Sequence, residues 1–381
     1  MSNFIPTQCE SNADIIVIGG GIAGASIAAH LAARARVRLL EMESHPGYHS
    51  TGRSAAVFAT SYGNSTVRAL TCASRSFFFS PPAGFCSTAL VRPRLVLILA
   101  NSTQREALDN FGEVAFPGDR IEALTPAQAL QYCPILRPDD LSGALLYHGT
   151  ADIEVHELHQ GYLRLLKMRG GDIKSNTEVI GLERSNGEWS VNIPGEVLRA
   201  SIVVNAAGAW AGKLGKLAGA YDIGLEPRRR TALLIDPPVG VTAESWPLVA
   251  DIGDQFYLKP DAGLLMLSPC DETPTAACDA QPEEMDVAVA VDRLEQATTL
   301  EVRHVRRKWA GLRSFVRDRS PVVGYDPLQP GFFWLAALGG FGIQTAPALS
   351  ALAAGLVLGR EVGGELTEFD VEPSALAPAR L

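Results

Sequence analysis

Residues 14–41 narrow the possible folds more than any other part of the chain: D-I-I-V-I-G-G-G-I-A-G-A-S-I-A-A-H-L-A-A-R-A-R-V-R-L-L-E. Ile15–Ile18 is a short apolar run, rich in β-branched residues and bounded by glycine, which reads as a buried parallel strand. Gly19, Gly21 and Gly24 follow as G-x-G-x-x-G, then a helical stretch dense in alanine, then a second apolar strand, Val37–Leu40, ending in Glu41. The glycines have separate physical roles. Gly19 permits the tight turn, Gly21 lets a pyrophosphate reach the backbone, and Gly24 lets helix pack closely on strand. The helix N-terminus offers free N–H groups and a positive dipole end. Glu41 can accept hydrogen bonds from an adenosine ribose. Glycines alone are a weak signal, but strand, turn, helix, strand and acid at this interval indicate a dinucleotide. They do not separate FAD from NAD.

A chain of 381 residues, 47% hydrophobic, can bury a large core and suggests two or three structural units. The net charge of −9 argues against a nucleic-acid partner, and the run Arg228-Arg229-Arg230 is too short to reverse that. The six cysteines show no C-x-x-C and no metal spacing, so reduced thiols and no metal site are expected. The N-terminus lacks a basic segment followed by an apolar one, so no signal peptide is expected. The most apolar helix, about 346–358, is too short for a transmembrane segment. The expected location is cytoplasmic, or peripheral at the inner membrane.

Along the chain, residues before 14 read as a loose tail and residues 45–63 as a long polar loop. Helices are expected over 65–79, from Thr125-Pro126 to 132, over 156–167 and over 283–296. Strands are expected over 90–100, 143–148, 178–184 and 188–193 (a hairpin through Asn186-Gly187), 202–205, 231–235, 255–259 and 264–268 (a turn at 260–263), 302–315 and 332–338. Residues after 367 read as a tail. Strand-glycine-helix junctions recur near Gly21, Gly208 and Gly340, separated by antiparallel-looking stretches. One nucleotide domain in three segments, 1–63, 151–225 and 318–381, with a second domain inserted as 64–150 and 226–317, explains that pattern.

Further runs carry a resemblance. They are P-G-Y-H-S-T-G-R-S-A-A at 46–56, V-N-A-A-G-A-W at 204–210, F-Y-L-K-P-D-A-G at 256–263, W-A-G-L-R-S-F at 309–315 and G-G-F-G-I-Q-T at 339–345. With the fingerprint they resemble the FAD-dependent D-amino-acid oxidase family, nearest to bacterial D-amino-acid dehydrogenases of the D-arginine dehydrogenase type. The resemblance implies an α/β, Rossmann-like FAD-binding domain of glutathione-reductase type, with an inserted α+β substrate domain on an antiparallel sheet. It implies non-covalent FAD, a small-molecule amino-acid substrate, and an electron acceptor (quinone, dye or O2). The implied chemistry is hydride transfer from the α-carbon to flavin N5, then hydrolysis of the imino acid to a 2-keto acid and ammonia.

The resemblance also assigns residues. Gly19, Gly21, Ile22, Ala23, Gly24, Glu41 and Met42 would hold the adenosine and diphosphate, with Ala206, Gly208 and Trp210 closing over the adenosine end and Val179 at the adenine. Ser50, Thr51, Arg53, Ser54, Ala55 and Ala56 would lie near isoalloxazine and diphosphate. Gly339, Gly340, Gly342, Ile343, Gln344 and Thr345, opening the last long helix, would face the flavin pyrimidine ring, where a helix N-terminus stabilises developing negative charge. Arg230 and Arg313 align with substrate-carboxylate ligands, a role suited to the guanidinium fork, with Tyr257 and Tyr62 as hydroxyl partners. In a strand, Arg228 and Arg230 share one face and Arg229 takes the other, and the pattern alone does not choose between them. His49 reads as a hydrogen-bonding loop residue and not as a base.

Two substrate-pocket positions depart from arginine-accepting relatives. Val96 stands where those carry an acid, and Val57 replaces a polar loop residue. Oxidation of neutral, largely apolar D-amino acids is therefore the leading expectation. The alternative keeps the flavin and changes the substrate to glycine, an N-methyl or cyclic secondary amino acid, or a 2-hydroxy acid.

Overall fold

Three apolar strands that each run into a glycine turn lie side by side in the computed structural model, which describes residues 13–111, 120–361 and 363–381. The sheet order is Val322–Tyr325, Phe332–Ala336, Ile202–Asn205, Ile15–Ile18, Val37–Leu40, Asp172–Lys174. All neighbours are parallel except the first pair. Period-two alternation splits each strand between two cores. Ile15, Val17, Leu39, Val204 and Phe333 pack with the helices Ile22–Leu31, Val155–Met168 and Gly342–Val357. Ile16, Ile18, Leu40, Val203 and Trp334 pack with helix Ala211–Ala218 and the antiparallel strands Gly181–Ser185, Glu188–Ile193 and Glu196–Ala200. Both faces are covered, which is why the strands read as unbroken apolar runs.

A nine-stranded sheet, counted among the described residues, forms the second layer. Glu226–Ile235 pairs with Val305–Phe315, and the sheet continues through Leu264–Ser268, Tyr257–Asp261, Leu248–Asp251, Val96–Asn101 and Leu141–Tyr147. One face is buried under helices Pro126–Tyr132 and Glu284–Ala297 through Leu97, Leu146, Leu233, Val249, Leu267 and Leu294. Registered partners share a face, so the opposite face collects Arg313, Arg228, Arg230, Tyr257, Ala250, Ile98, Val96 and Tyr147.

Several expectations need correction. The expected helix over 65–79 breaks at Ser74, whose hydroxyl donates to the Leu70 carbonyl and accepts from the Ala348 N–H of the last long helix. The strand expected at 231–235 is Glu226–Ile235, so all three arginines lie within it. The strands Leu248–Asp251 and Glu196–Ala200 went unread, being short and without a clear alternation signal. The turn expected over 260–263 tightens to two residues, Ala262 and Gly263, with φ of +48° and +81°. The expected N-terminal tail lies outside the described residues up to residue 12.

The stretch after 367 is not a tail. Val371 and Leu376 are buried in the core, the Val323 N–H donates to the Leu376 carbonyl at 2.8 Å, and Arg380 pairs with Asp318. Proline and alanine around Leu376 hid that anchor. Among the described residues, no helix is long and apolar enough to cross a membrane.

Leu376 is 0% exposed. Leu376→Ala is expected to destabilise the protein by about 2–5 kcal/mol, as for other fully buried leucines. Urea denaturation monitored by tryptophan fluorescence checks this, and a loss within about 0.5 kcal/mol would mark a loosely held end.

Candidate active site

One long cavity runs over the carboxyl ends of the strands Ile15–Ile18, Ile202–Asn205 and Phe332–Ala336. Its residues fit a dinucleotide. A Cβ on Gly24 would lie 1.8 Å from the Gly19 carbonyl oxygen, so only glycine allows the fingerprint helix this close to the turn. The helix starts without a side-chain cap or an acidic residue in its first turn, and no acceptor among the described residues takes the N–H groups of Gly21 and Ala23. Such a terminus is an anion site. Glu41 is buried; its Oε2 accepts from the Gly20 N–H at 2.7 Å and its Oε1 from the Glu43 N–H at 2.9 Å. Lone pairs on both oxygens remain for a ribose. Met42, Val179, Ala206, Gly208 and Trp210 line the same end.

The helix Gly342–Val357 points its N-terminus at the far end of the cavity. It too lacks a side-chain cap and an acidic first turn, and the amides of Gly342 and Ile343 carry no hydrogen bond among the described residues. Gly339, Gly340, Gly342 and Ile343 line the cavity. Gln344 and Thr345 do not appear on its wall. Gln344 is buried, accepts from the Ala59 N–H at 3.3 Å, and leaves its Nε2 unpaired; Thr345 donates to the Phe341 carbonyl within the helix.

The polar loop supplies the cavity's middle. Ser50, Thr51, Arg53, Ser54 and Ala55 line it, while Ala56 instead accepts from the Ile153 N–H. Thr51 accepts from the Ile22 N–H at 3.0 Å, and Ser50 donates to the Leu312 carbonyl at 2.6 Å. The Arg53 guanidinium is taken up by Asp279 and by the carbonyls of Ala280 and Ala310. It therefore binds loop to strand. His49 donates from Nε2 to the Glu43 carboxylate at 2.8 Å, with its ring 4.6 Å from that of Trp210.

The two candidate carboxylate ligands differ in surroundings. Strand alternation sends Arg229 to the far face, where it meets Asp271, Glu283 and Asp286. Arg230 lines the cavity but donates to the Asp271 carbonyl at 2.9 Å and to Glu272 at 3.2 Å. Arg313 lines the cavity with no carboxylate partner among the described residues; its one hydrogen bond runs to the Tyr62 hydroxyl at 3.4 Å. A Cβ on Gly340 would lie 2.6 Å from an Arg313 nitrogen, so glycine there makes room for the guanidinium against the helix N-terminus. Tyr257 lines the cavity on the same sheet face; burial raises its hydroxyl pKa, and Arg313 and Arg230 pull the other way. Tyr62 packs edge-on against Phe341 at 5.1 Å.

Val57 and Val96 share one apolar cluster, but neither is on the cavity wall. They belong to an apolar cluster with Ile98, Leu145 and Tyr147, in which Val96 is 8% exposed. Val96 lies two strands from Tyr257, roughly 10 Å across the sheet. The structure assigns contacts to three further residues. Lys259 is buried and ties the Ala55 carbonyl to Asp152, both at 3.0 Å. His159 donates to the Gly20 carbonyl from a helix that read only as amphipathic packing. Asp254, with φ of +53°, feels both Arg230 and Arg313; desolvation raises its pKa and the arginines oppose that. A histidine on an apolar helix face carries no motif, so no local signal exposes it; Lys259 lies in the run 256–263, whose residues do not by themselves show what it ties together.

Known proteins agree with this geometry. Residues 14–356 match the family described as DAO, FAD dependent oxidoreductase. Glycine oxidase of Geobacillus kaustophilus (strain HTA426) is 25% identical over 95% of this chain and 96% of its own. Among solved structures, L-alpha-glycerophosphate oxidase from Mycoplasma pneumoniae with FAD bound superposes with a TM-score of 0.81 at 18% identity, over 91% of this chain and 95% of that one. Iminodiacetate oxidase from Chelativorans sp. BNC1 gives 0.79 at 22% identity, over 93% and 98%. The D-arginine dehydrogenase likeness is thus too narrow: the family is shown, and the whole-length relative named here is a glycine oxidase. The uncapped helix ends, the ribose acid and the family match along 14–356 lead to one conclusion: the chain belongs to the DAO family of FAD-dependent oxidoreductases.

Proposed function

We propose that the protein oxidises a small amino acid, glycine or an N-substituted glycine, with FAD as the acceptor of the electron pair. Bound FAD supplies that two-electron acceptance. The chain supplies binding and orientation. Arg313, with Tyr257 and Tyr62, holds the substrate carboxylate against the turn at Gly340, and Arg230 adds positive field while held by Glu272. The uncapped N-terminus of Gly342–Val357 favours negative charge at that end of the cavity. The Gly19–Gly24 turn and Glu41 retain the adenosine diphosphate half.

The observation carrying the small-substrate reading is the packing of Val57 and Val96. Residues expected to wall a side-chain pocket sit in a closed apolar cluster and not on the cavity. The similarity to glycine oxidase over nearly the whole of both chains supports the same reading. Oxidation of neutral D-amino acids is the second reading. It is favoured by the apolar sheet face from Ile98 to Tyr147, which would receive an aliphatic side chain if the cluster opened, and would leave a guanidinium unpaired.

Anaerobic flavin bleaching and steady-state rates across a substrate panel decide between them. Glycine or N-methylglycine is expected to exceed D-leucine and D-phenylalanine in kcat/KM, with D-arginine lowest. D-leucine in front supports the second reading, and D-arginine in front overturns both.

Arg313→Met keeps length and removes the fork. A loss of about 2–5 kcal/mol in kcat/KM is expected, as for other buried charged partners, with FAD content unchanged. Near-normal turnover would mean the carboxylate binds elsewhere. Acid precipitation of the purified yellow protein is expected to leave all the flavin in the supernatant; colour in the pellet would contradict non-covalent binding.

A further inference from the structure

We infer that His159 is a positioning residue for the cofactor: its imidazole aims the Gly21 amide at the FAD pyrophosphate. His159 stands on Val155–Met168, outside every motif of the dinucleotide fingerprint, and is 4% exposed. Its Nε2 lies 2.9 Å from the Gly20 carbonyl oxygen. A carbonyl only accepts, so Nε2 carries the proton. Burial lowers the imidazole pKa, which favours the neutral ring with a bare Nδ1.

The Gly20 carbonyl and the Gly21 N–H belong to one peptide unit. That unit is planar and trans, so the two groups point in opposite directions. Holding the carbonyl toward His159 turns the Gly21 N–H away from it. Gly21 lines the cavity, and its amide has no acceptor among the described residues. The preceding amide is held as well, since the Gly20 N–H donates to Glu41 at 2.7 Å. Glycines flank the unit on both sides, so without these two tethers it has more rotational freedom than other sequences allow.

The ring is itself clamped. Gly47, with φ of +84°, approaches so closely that a Cβ there would lie 2.9 Å from His159 Cε1. The loop after the second strand thus wedges the imidazole against the turn. Acid and imidazole, from two different elements, fix adjacent peptides of the phosphate-binding turn. This role concerns cofactor retention and stands whichever amine is oxidised.

The test is FAD titration of the apoprotein by flavin fluorescence, with two variants and apoprotein melting as the control for folding. His159→Leu keeps volume and loses the donor; His159→Gln keeps an N–H at similar reach. The dissociation constant is expected to rise about ten-fold in His159→Leu, from one lost hydrogen bond and an unpaired carbonyl, and to stay within about three-fold in His159→Gln. Wild-type affinity in His159→Leu, or equal weakening in both, overturns the inference, because the ring would then act through its volume alone. Should His159→Leu not fold, the holoenzyme labelled with 15N-histidine is read instead. The Nε2–H tautomer is expected for the buried ring, and the Nδ1–H tautomer overturns the proposal.

Discussion

The contact between Gly24 and Gly19 sets the rest of the molecule. With no Cβ on Gly24, the fingerprint helix seats directly on the turn that follows the first strand. Of the N–H groups at its start, that of Ile22 donates to Thr51, while those of Gly21 and Ala23 have no partner among the described residues. Burying unpaired donors is unfavourable by about 1–3 kcal/mol each, so the arrangement is sound only with an anion in front of it. The same solution recurs at Gly342–Val357, where an uncapped N-terminus faces the other end of one cavity. Two helix ends of the same sheet therefore define where a long, negatively charged cofactor lies before any side chain is considered.

Side-chain charge is then distributed by strand alternation. In the sequence, the run Arg228-Arg229-Arg230 does not show which arginine meets the site. Within Glu226–Ile235 it splits: Arg229 goes to Glu283 and Asp286 at the start of helix Glu284–Ala297, and Arg230 goes to the cavity. Arg230 arrives already neutralised by Glu272. Arg313, across the sheet, does not. Of the two, Arg313 gains more from a substrate carboxylate, because a partly desolvated guanidinium without a counter-ion is the less stable of the pair.

What was legible in the sequence follows from how local each signal is. The strands Ile15–Ile18, Val37–Leu40, Ile202–Asn205 and Phe332–Ala336 and the hairpin at Asn186-Gly187 read correctly because each is set by neighbours within a few residues. The whole-chain resemblance carried FAD. The misses are long-range. The break at Ser74 depends on a hydrogen bond to Ala348, far along the chain. Leu376 owes its burial to a strand edge some fifty residues earlier. Val96 lies on the sheet face that carries Arg313 and Tyr257, yet it is buried in an apolar cluster with Tyr147 and Val57 from other segments. Alternation gives the face of a side chain, not what covers it.

That distinction bears on substrate size. Specificity for a long side chain needs a passage from the proposed carboxylate site along the sheet face, and here that passage would cross Tyr257 toward Ile98 and Val96. The cluster there is apolar and close-packed: Tyr147 is 1% exposed and Ile98 8%. Opening it would forfeit burial of several side chains, at about 25 cal/mol per Å² of apolar area returned to water. A substrate could repay that only with a comparable apolar side chain of its own. Glycine and its N-substituted derivatives ask for no opening at all, since their bulk extends from the nitrogen and not along the sheet. The loop carrying Val57 and Tyr62 joins the two matters: one of its residues closes the cluster, the other touches Arg313. Shape at one end of that loop and charge at the other are therefore coupled through a few residues, and a change in side-chain preference would be expected to disturb the carboxylate grip as well.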